Sequence, residues 1–133
     1  MNNQRGFTGI SFPFRFDGRG GVATSTTSIN DFSHIEESIK QIVLTSIKER
    51  VMELEFGSNV RDHLFSMTDD ETDIAILKFH IREAIEKFEK RVEIEDINIL
   101  KDETEVGEGT WIVEIKFKVI RYLKNSVVRF KLK

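Results

Sequence analysis

The chain has 133 residues, of which 39% are hydrophobic and 32% charged, a balance typical of a single globular domain. It contains no cysteine, which excludes disulfides and thiolate metal sites, and no apolar run approaches the ~18–20 residues that span a bilayer. The net charge of −3 is unevenly placed, because residues 1–110 carry 13 Lys and Arg against 22 Asp and Glu, whereas residues 111–133 carry seven against one. This basic end either attracts an acidic partner or forms the solvent face of strands.

The N-terminal part is predicted to be a flexible arm over residues 1–8, followed by a single domain over residues 9–133. That domain opens with Phe12, Phe14 and Phe16, which fall on one side of an extended segment. The single proline of the chain lies between the first two and excludes a helix interior or a central strand there. These aromatic side chains either cap the domain's own core or dock into another subunit.

The first helix is predicted to begin between Asn30 and Ser33, after a glycine-rich turn and a short strand over residues 22–29. Ser33 and Glu36 have the spacing of a capping box, in which each side chain satisfies a free backbone N–H group. One apolar stripe of this helix is predicted to be buried: Ile35, Ile39, Ile42 and Val43. Glu36 and Glu37 lie off the stripe and are expected to be solvated.

Two further helices are predicted before residue 90. Residues Ser58–Phe65 form a short helix, and a long helix follows it with Asp69 or Asp70 at its N-terminal end. The apolar stripe of the long helix is predicted to contain Ile74, Leu77, Ile81, Ile85 and Phe88. The segment that links the first helix to the short one is predicted to point three side chains inward: Val51, Leu54 and Phe56.

From Val92 the apolar period becomes two, which predicts strands over the rest of the chain. A change of parity across Glu95-Asp96 predicts a bulge there. The strongest strand signal covers residues 111–119, between an acidic hairpin connection at Lys101–Gly109 and a turn at Lys124–Ser126. The last strand is expected to form an edge of the sheet. The predicted fold class is therefore α+β, with two main helices packed on a mainly antiparallel sheet of three or four strands and with an N-terminal extended arm.

No convergent catalytic or metal-binding motif is present. The three histidines lack the spacing of metal ligands, so neither a metal nor a cofactor is predicted. Glu49, Glu53, Glu55 and Glu89 are the carboxylates that a glycosidase could use, but their basic or charged surroundings favour ionisation, and a glycosidase needs one carboxylic acid that stays protonated. We therefore predict that the protein is not an enzyme. Nucleic-acid binding is not predicted either, because the aromatic residues of the last strands lie on the face opposite the lysines.

Several stretches, taken in order, resemble one protein family. They are Gly9–Phe14, Ile35–Ile39 with Gln41–Ile42, Glu49–Met52 with Glu55–Gly57, Leu64–Phe65, and Phe88–Val92. Together they are similar to the baseplate wedge family of contractile phage tails, the gene-25-like or GPW family, whose relatives occur in type VI secretion, tailocins and other contractile injection machines. The last stretch matches a family pattern of aromatic-Glu-Pro-Arg, with Lys90 in place of the proline. Leu54 likewise replaces a common proline, and Lys48 a common glycine.

The resemblance implies a structural sheath initiator, present in six copies per baseplate. It would be held by baseplate wedge proteins and would offer a strand platform to the first ring of sheath protein. It also implies that Glu89 and Arg91 contribute to these contacts. The other residues predicted to bind a partner are Glu49, Arg50, Phe12, Phe14, Arg129 and Lys131.

The implied location is the bacterial cytoplasm during assembly and then the baseplate of the particle, with no nucleic-acid or membrane partner. Some members of the family carry the label of a lysozyme. A peptidoglycan-cleaving tail lysozyme is therefore the alternative function, and an adaptor domain without a sheath role is a third.

Overall fold

Three helices and two antiparallel sheets make up the part of the chain that the computed structural model describes, residues 7–28, 30–66, 70–102 and 110–132. The elements follow in this order: β1 (Phe7–Ile10), β2 (Thr24–Thr27), α1 (Ser33–Leu44), α2 (Val60–Ser66), α3 (Glu71–Phe88), β3 (Val92–Lys101), β4 (Trp111–Val119) and β5 (Lys124–Leu132). This arrangement confirms the predicted α+β class. No helix within the described ranges is long and apolar enough to cross a membrane. Most of the predicted arm, the candidate cap Asp69 and most of the acidic hairpin connection lie outside the described residues.

The larger sheet has the strand order β3–β4–β5, with both pairs antiparallel. Alternate side chains of β4 are buried in the core: Trp111, Val113, Ile115, Phe117 and Val119. The register of β3 against β4 shifts between Ile94 and Asp96, which confirms the predicted bulge. Because of this shift, Val92 and Ile94 face the same core as Ile97 and Ile99.

The turn predicted at Lys124–Ser126 is wrong, because the first of these residues already pairs with Val119 in the strand ladder. The chain reverses over residues 120–123 instead, where the backbone N–H of Tyr122 donates to the carbonyl of Val119 at 3.3 Å. This turn contains no Gly, Pro, Asn or Asp, so it lacks the usual sequence signal. The ring of Tyr122 lies 6.0 Å from that of Phe32, so the turn is held by packing.

The apolar stripes of the two long helices lie on the core, as predicted. The buried residues are Ile35, Ile39, Ile42 and Val43 in α1, and Leu77, Ile81, Ala84 and Ile85 in α3. The predicted capping box is wrong, because Phe32 occupies the N-cap position and the hydroxyl of Ser33 instead donates to the carbonyl of Thr26 at 3.2 Å. Glu36 is not simply solvated, because it accepts a hydrogen bond from the hydroxyl of Ser126 at 3.1 Å.

The first two strands form a separate two-stranded sheet and do not extend the larger one. This N-terminal hairpin reverses at Asp17, whose Oδ1 accepts a hydrogen bond from the backbone N–H of Gly21 at 2.8 Å. It packs on α1, where Ser25 Oγ and His34 Nδ1 are 3.0 Å apart. Gly9 lies against this ring, so a Cβ atom at position 9 would have to displace the ring of His34.

Candidate partner-binding site

The junction after α3 holds a buried carboxylate with a complete set of hydrogen bonds. Glu89 follows the last residue of the helix, and its side chain is only 5% exposed. Its Oε1 accepts from the backbone N–H (3.2 Å) and Nε (2.7 Å) of Arg91. Its Oε2 accepts from Arg91 Nη2 (2.7 Å) and from Ser38 Oγ (2.8 Å). A carboxylate offers about four acceptor positions, so the chain itself saturates Glu89.

The electrostatics of this junction keep both partners ionised. Burial has the largest single effect on the pKa of Glu89 and would raise it. The hydrogen bonds from Arg91 and Ser38 and the positive charge of Arg91 together outweigh burial, so the pKa of Glu89 lies below its usual value. The hydrogen bond to Glu89 raises the pKa of Arg91, against the opposing effect of partial burial.

Arg91 differs from its partner in facing solvent. Its side chain is 41% exposed. An arginine has about five N–H donors, and the paired geometry commits Nε and one Nη2 hydrogen to Glu89. The remaining donors belong to a guanidinium that the carboxylate holds in one orientation and that is partly open to solvent. A charged guanidinium of this kind can still donate strong hydrogen bonds to further acceptors, so partner binding by Arg91 stays a prediction.

Lys90, which stands where the family pattern has a proline, satisfies the end of α3. Its Nζ donates to the carbonyl of Glu86 at 2.8 Å. The last carbonyls of a helix lack intrahelical partners, and a cation is favourable at this negative end. The substitution therefore replaces a conformational restraint with a side chain that caps the helix.

A stack of rings and a guanidinium connects this junction to Arg50. The Arg50 guanidinium carbon lies 3.8 Å from the centroid of the Phe56 ring, and that ring lies 4.8 Å from the ring of Phe88. The structure thus links Arg50 to the residue that precedes Glu89. Glu49 is used within its own loop, where it accepts a hydrogen bond from the backbone N–H of Ser46 at 2.8 Å.

The loop over residues 46–58 exposes apolar side chains, two of which were predicted to point inward. Val51 and Met52 are 88% and 93% exposed, and Leu54 is exposed as well, so the inward prediction is wrong for Val51 and Leu54. The third residue of that prediction, the phenylalanine of the stack, is half-buried. The backbone gives the reason: the N–H of Lys48 donates to the carbonyl of Leu54 at 2.8 Å and closes the loop outward. Lys48 has a φ of 72°, a conformation that explains the glycine common at this position in the family.

The N-terminal phenylalanines divide into one anchored and two exposed residues. Phe12 is half-buried, and its backbone N–H donates to Glu37 Oε2 at 3.1 Å. Phe14 and Phe16 are exposed, with ring centroids 5.5 Å apart, so they do not cap the core of this chain. Sequence reasoning missed Glu37 as the anchor of this segment, because nothing in the sequence distinguishes it from a solvated glutamate on a helix face.

Several cations of the basic end lie beside acidic residues. Arg129 forms an ion pair with Glu114, and Lys131 forms one with Asp102 at 2.9 Å. Two lysines of β4 also lie opposite acidic residues of β3: Lys116 opposite Asp96 and Lys118 opposite Glu93. This favours the solvent-face interpretation of the C-terminal charge. Partner binding by Arg129 and Lys131 stays a prediction.

Among the four candidate carboxylates only Glu89 is buried. Glu53 and Glu55 are exposed, and the buried Glu89 is held in its ionised form by Arg91. A general acid must instead carry a proton to donate. The rings of His63 and His80 lie 5.7 Å apart, but the described residues contain no group of three side chains able to hold a metal ion.

Comparison with known proteins gives one family and several similar structures. The family model described as baseplate wedge protein gp25 matches residues 30–122. No curated protein matches the chain. A crystal structure of a Geobacter sulfurreducens protein, provisionally named a tail lysozyme, is 30% identical, with a TM-score of 0.62 over 75% of this chain and 89% of that one.

Two cryo-EM structures of baseplates contain chains of similar fold. One is the anti-feeding prophage baseplate, determined with 6-fold symmetry, in which a chain is 20% identical over 92% of this chain and 85% of its own length, with a TM-score of 0.65. The other is the postcontracted baseplate of pyocin R2, with 15% identity over 90% of this chain and 96% of that one and a TM-score of 0.51. At these identities the likeness concerns the fold.

Proposed function

The chain belongs to the baseplate wedge protein gp25 family, and we propose that it joins the wedge to the tail sheath and nucleates sheath polymerisation in a contractile tail or injection machine. The single observation that carries this proposal is the outer edge of β5. This strand pairs with β4 on one side only, and no described strand pairs with its other side. Such an edge presents unpaired N–H and C=O groups that can add a strand from a partner.

Contacts with the core and with α1 hold β5 in a fixed position, so that its edge is ready to add a strand. The side chains of Val128 and Leu132 anchor β5 in the core, while Ser126 is bonded to Glu36 of α1. A strand held in this way needs little reordering when a partner strand is added, which favours binding. The partners of the assembly are a sheath protein at β5 and baseplate wedge proteins elsewhere, with six copies of the chain in a baseplate that assembles in the bacterial cytoplasm.

In this proposal Arg91 contacts a partner directly, and Glu89 orients the guanidinium of Arg91 for that contact. The carboxylate has no acceptor position left, whereas Arg91 has side-chain donors that Glu89 does not occupy. Replacing Arg91 with lysine keeps the charge beside Glu89 but removes the planar fork. We expect the Arg91→Lys variant to fold and to assemble poorly, as judged by the fraction of sheathed particles in electron micrographs. A folded variant that assembles normally would remove Arg91 from the contact.

The protein is proposed to be structural and not catalytic. The observation that supports this is the ionised state of Glu89, the one buried carboxylate among the four candidates. The alternative, a tail lysozyme, draws on the name of the Geobacter sulfurreducens neighbour. A cell-wall release assay with the purified chain separates the two functions. Activity that is lost on changing Glu53 or Glu55 to glutamine would establish the alternative.

The strand-addition proposal is tested with proline, since removing β5 altogether would also remove Val128 and Leu132 from the core. Successive backbone N–H groups of a strand point to opposite edges. Of the variants Ser126→Pro and Val127→Pro, one therefore disrupts the ladder with β4 and the other removes a donor from the free edge.

The variant that keeps a cooperative thermal transition is the informative one. We expect it to give intact baseplates with few or no sheaths in electron micrographs, whereas the control Val127→Thr, which keeps the N–H group, gives sheaths of normal length. Normal sheaths on baseplates that contain the folded proline variant would overturn the strand-addition proposal.

A further inference from the structure

The larger sheet has two edge strands, β3 and β5, and no described strand pairs with the outer side of either. An edge strand directs alternate backbone N–H and C=O groups outward, where another chain can pair with them. The two edges differ in what happens to these outward groups. On β3, side chains of the chain itself bond to two of them, one on each side of the bulge.

The first closed group is the carbonyl of Ile94. The N–H of Ile120 donates to the carbonyl of Arg91 at 3.0 Å, so this pair is a hydrogen-bonded pair of the ladder between β3 and β4. Bonded and non-bonded pairs alternate in an antiparallel ladder, and Ile94 is three residues further along, so its N–H and C=O groups point away from β4. Arg82 of α3 reaches this outward carbonyl and donates to it from Nη1 at 3.2 Å.

The second closed group is the N–H of Ile97. At the other end of β3 the N–H of Asp102 donates to the carbonyl of Thr110 at 2.8 Å. Ile97 is five residues before this bonded pair, so its backbone groups also point outward. Its N–H donates to Asp96 Oδ1 at 2.9 Å. The bulge between the two closed groups bends the strand and interrupts a further ladder at the same place.

The edge of β5 has no such closure. Lys116 and Glu114 are each an even number of residues from Thr110, so their backbone groups face β3. Their partners in β5, Val127 and Arg129, therefore direct their N–H and C=O groups outward. No hydrogen bond of the described residues engages these outward backbone groups. Of the two proline variants of β5, Val127→Pro is thus the one that removes a donor from the free edge.

From this asymmetry we propose that Arg82 and Asp96 close the β3 edge against β5 of a second copy, which keeps the free chain monomeric and leaves β5 open for another protein. A contact between β3 of one copy and β5 of the next is heterologous, so it repeats along a filament unless the rotation closes a ring. Closing one edge prevents this association while the other edge stays open. The proposal rests on the proposed function only for the identity of the strand that β5 receives.

The test opens the β3 edge and measures the mass of the free chain by sedimentation. The opened variant combines Arg82→Met, which keeps an apolar stem on α3, with Asp96→Ala. The matched control combines Lys78→Met, one turn earlier on the same helix, with Glu93→Ala, so both proteins lose one cation of α3 and one acid of β3. We expect the unaltered chain and the control to stay monomeric. The mass of the opened variant should rise with concentration past that of two chains.

Two further measurements identify the surfaces that meet. In the associated variant, amide hydrogen exchange at Ile94 and Val127 should slow at least about tenfold relative to the dilute protein, because both outward N–H groups become paired. Adding Val127→Pro to the opened variant should restore the monomer, since the β5 edge then lacks a donor. Adding Val127→Thr, which keeps the N–H group, should leave the association unchanged.

The proposal is overturned if the opened variant keeps a cooperative thermal transition and stays monomeric, if the control associates equally, or if association survives Val127→Pro. Should the double change prevent folding, Arg82→Met and Asp96→Ala are measured singly. Each should associate more weakly than expected of the pair, and two folded monomeric single variants would refute the closure. A monomeric opened variant leaves the proposed function standing. Normal sheaths on baseplates with folded Val127→Pro would refute that function and leave the sedimentation result intact.

Discussion

Replacing Arg91 with alanine leaves the carboxylate of Glu89 buried, with only the hydroxyl of Ser38 to compensate it. Breaking a fully buried ion pair lowers the free energy of unfolding by ~3–5 kcal/mol. Because Arg91 is partly exposed and solvent already screens its attraction for Glu89, we expect a loss of about 2–4 kcal/mol here. Glu89→Gln should cost only about 1 kcal/mol, since the arginine left behind can be solvated by water. The double variant should therefore be more stable than Arg91→Ala alone.

The pH dependence of this cost has a definite sign. In the native protein the pKa of Glu89 lies below its value of 4.5 in the unfolded chain, so its contribution to stability is present above that pH and is lost as the pH falls through the folded-state value. In Arg91→Ala, burial remains while the cation is gone, which raises the pKa of Glu89 above its unfolded value. The stability of the variant then falls as the pH rises through this range, so its deficit is larger at pH 7 than at pH 4.

Urea unfolding at pH 4, 5.5 and 7, followed by the fluorescence of the buried Trp111, measures these differences. Lys87→Ala is the control, because it breaks an exposed pair with Glu55, 3.9 Å apart, and should cost well under ~1 kcal/mol at every pH. The reasoning is refuted if Glu89→Gln is the more damaging change, or if the deficit of Arg91→Ala does not shrink on acidification.

Three other substitutions follow from the backbone and from the hairpin anchor. Lys48→Gly should raise the free energy of unfolding by roughly 0.5–1 kcal/mol in urea, because the residue has a φ of 72°, whereas Lys40→Gly in α1 should lower it by a similar amount. Gly57→Ala should lower the free energy of unfolding by at least ~2 kcal/mol in the same assay, because Gly57 has a φ of 119° and a Cβ atom would collide with the carbonyl of Thr45. A loss below ~0.5 kcal/mol would contradict this. Glu37→Ala should speed hydrogen exchange in the N-terminal hairpin and leave the sheet core protected; equal exchange in both proteins would show that this carboxylate is not the anchor.

The sequence predicts those features whose physical cause is local and repeated. The stripes of α1 and α3 follow from the spacing of isoleucines, since one side of each helix must be buried. The bulge between Ile94 and Asp96 follows from a change of parity, because without an extra residue either Ile94 or Ile97 would face solvent. Such features can be predicted because several residues of one element follow the same spacing.

Features that depend on one distant contact could not be predicted. The turn before β5 is held by Tyr122 against Phe32, which is 90 residues away, so the usual turn residues of the following segment were a misleading signal. Glu37 anchors the N-terminal hairpin by accepting a single backbone hydrogen bond. Val51 points outward because of the closure of its loop, although its apolar character favours burial.

The charged junction at Glu89 and Arg91 lies between these cases, and hydrogen-bond capacity decides what each residue can do. From sequence, the two residues are equivalent candidates for a contact with a partner. In the structure, four donors occupy the carboxylate, one of them from Ser38, which is 51 residues away. A partner could bond to Glu89 only by displacing one of these donors, whereas Arg91 can donate to a new acceptor without breaking its existing pair. A substitution that keeps a cation beside Glu89 but removes the planar fork, such as Arg91→Lys, therefore tests binding in a protein that still folds, and substitutions of Glu89 cannot.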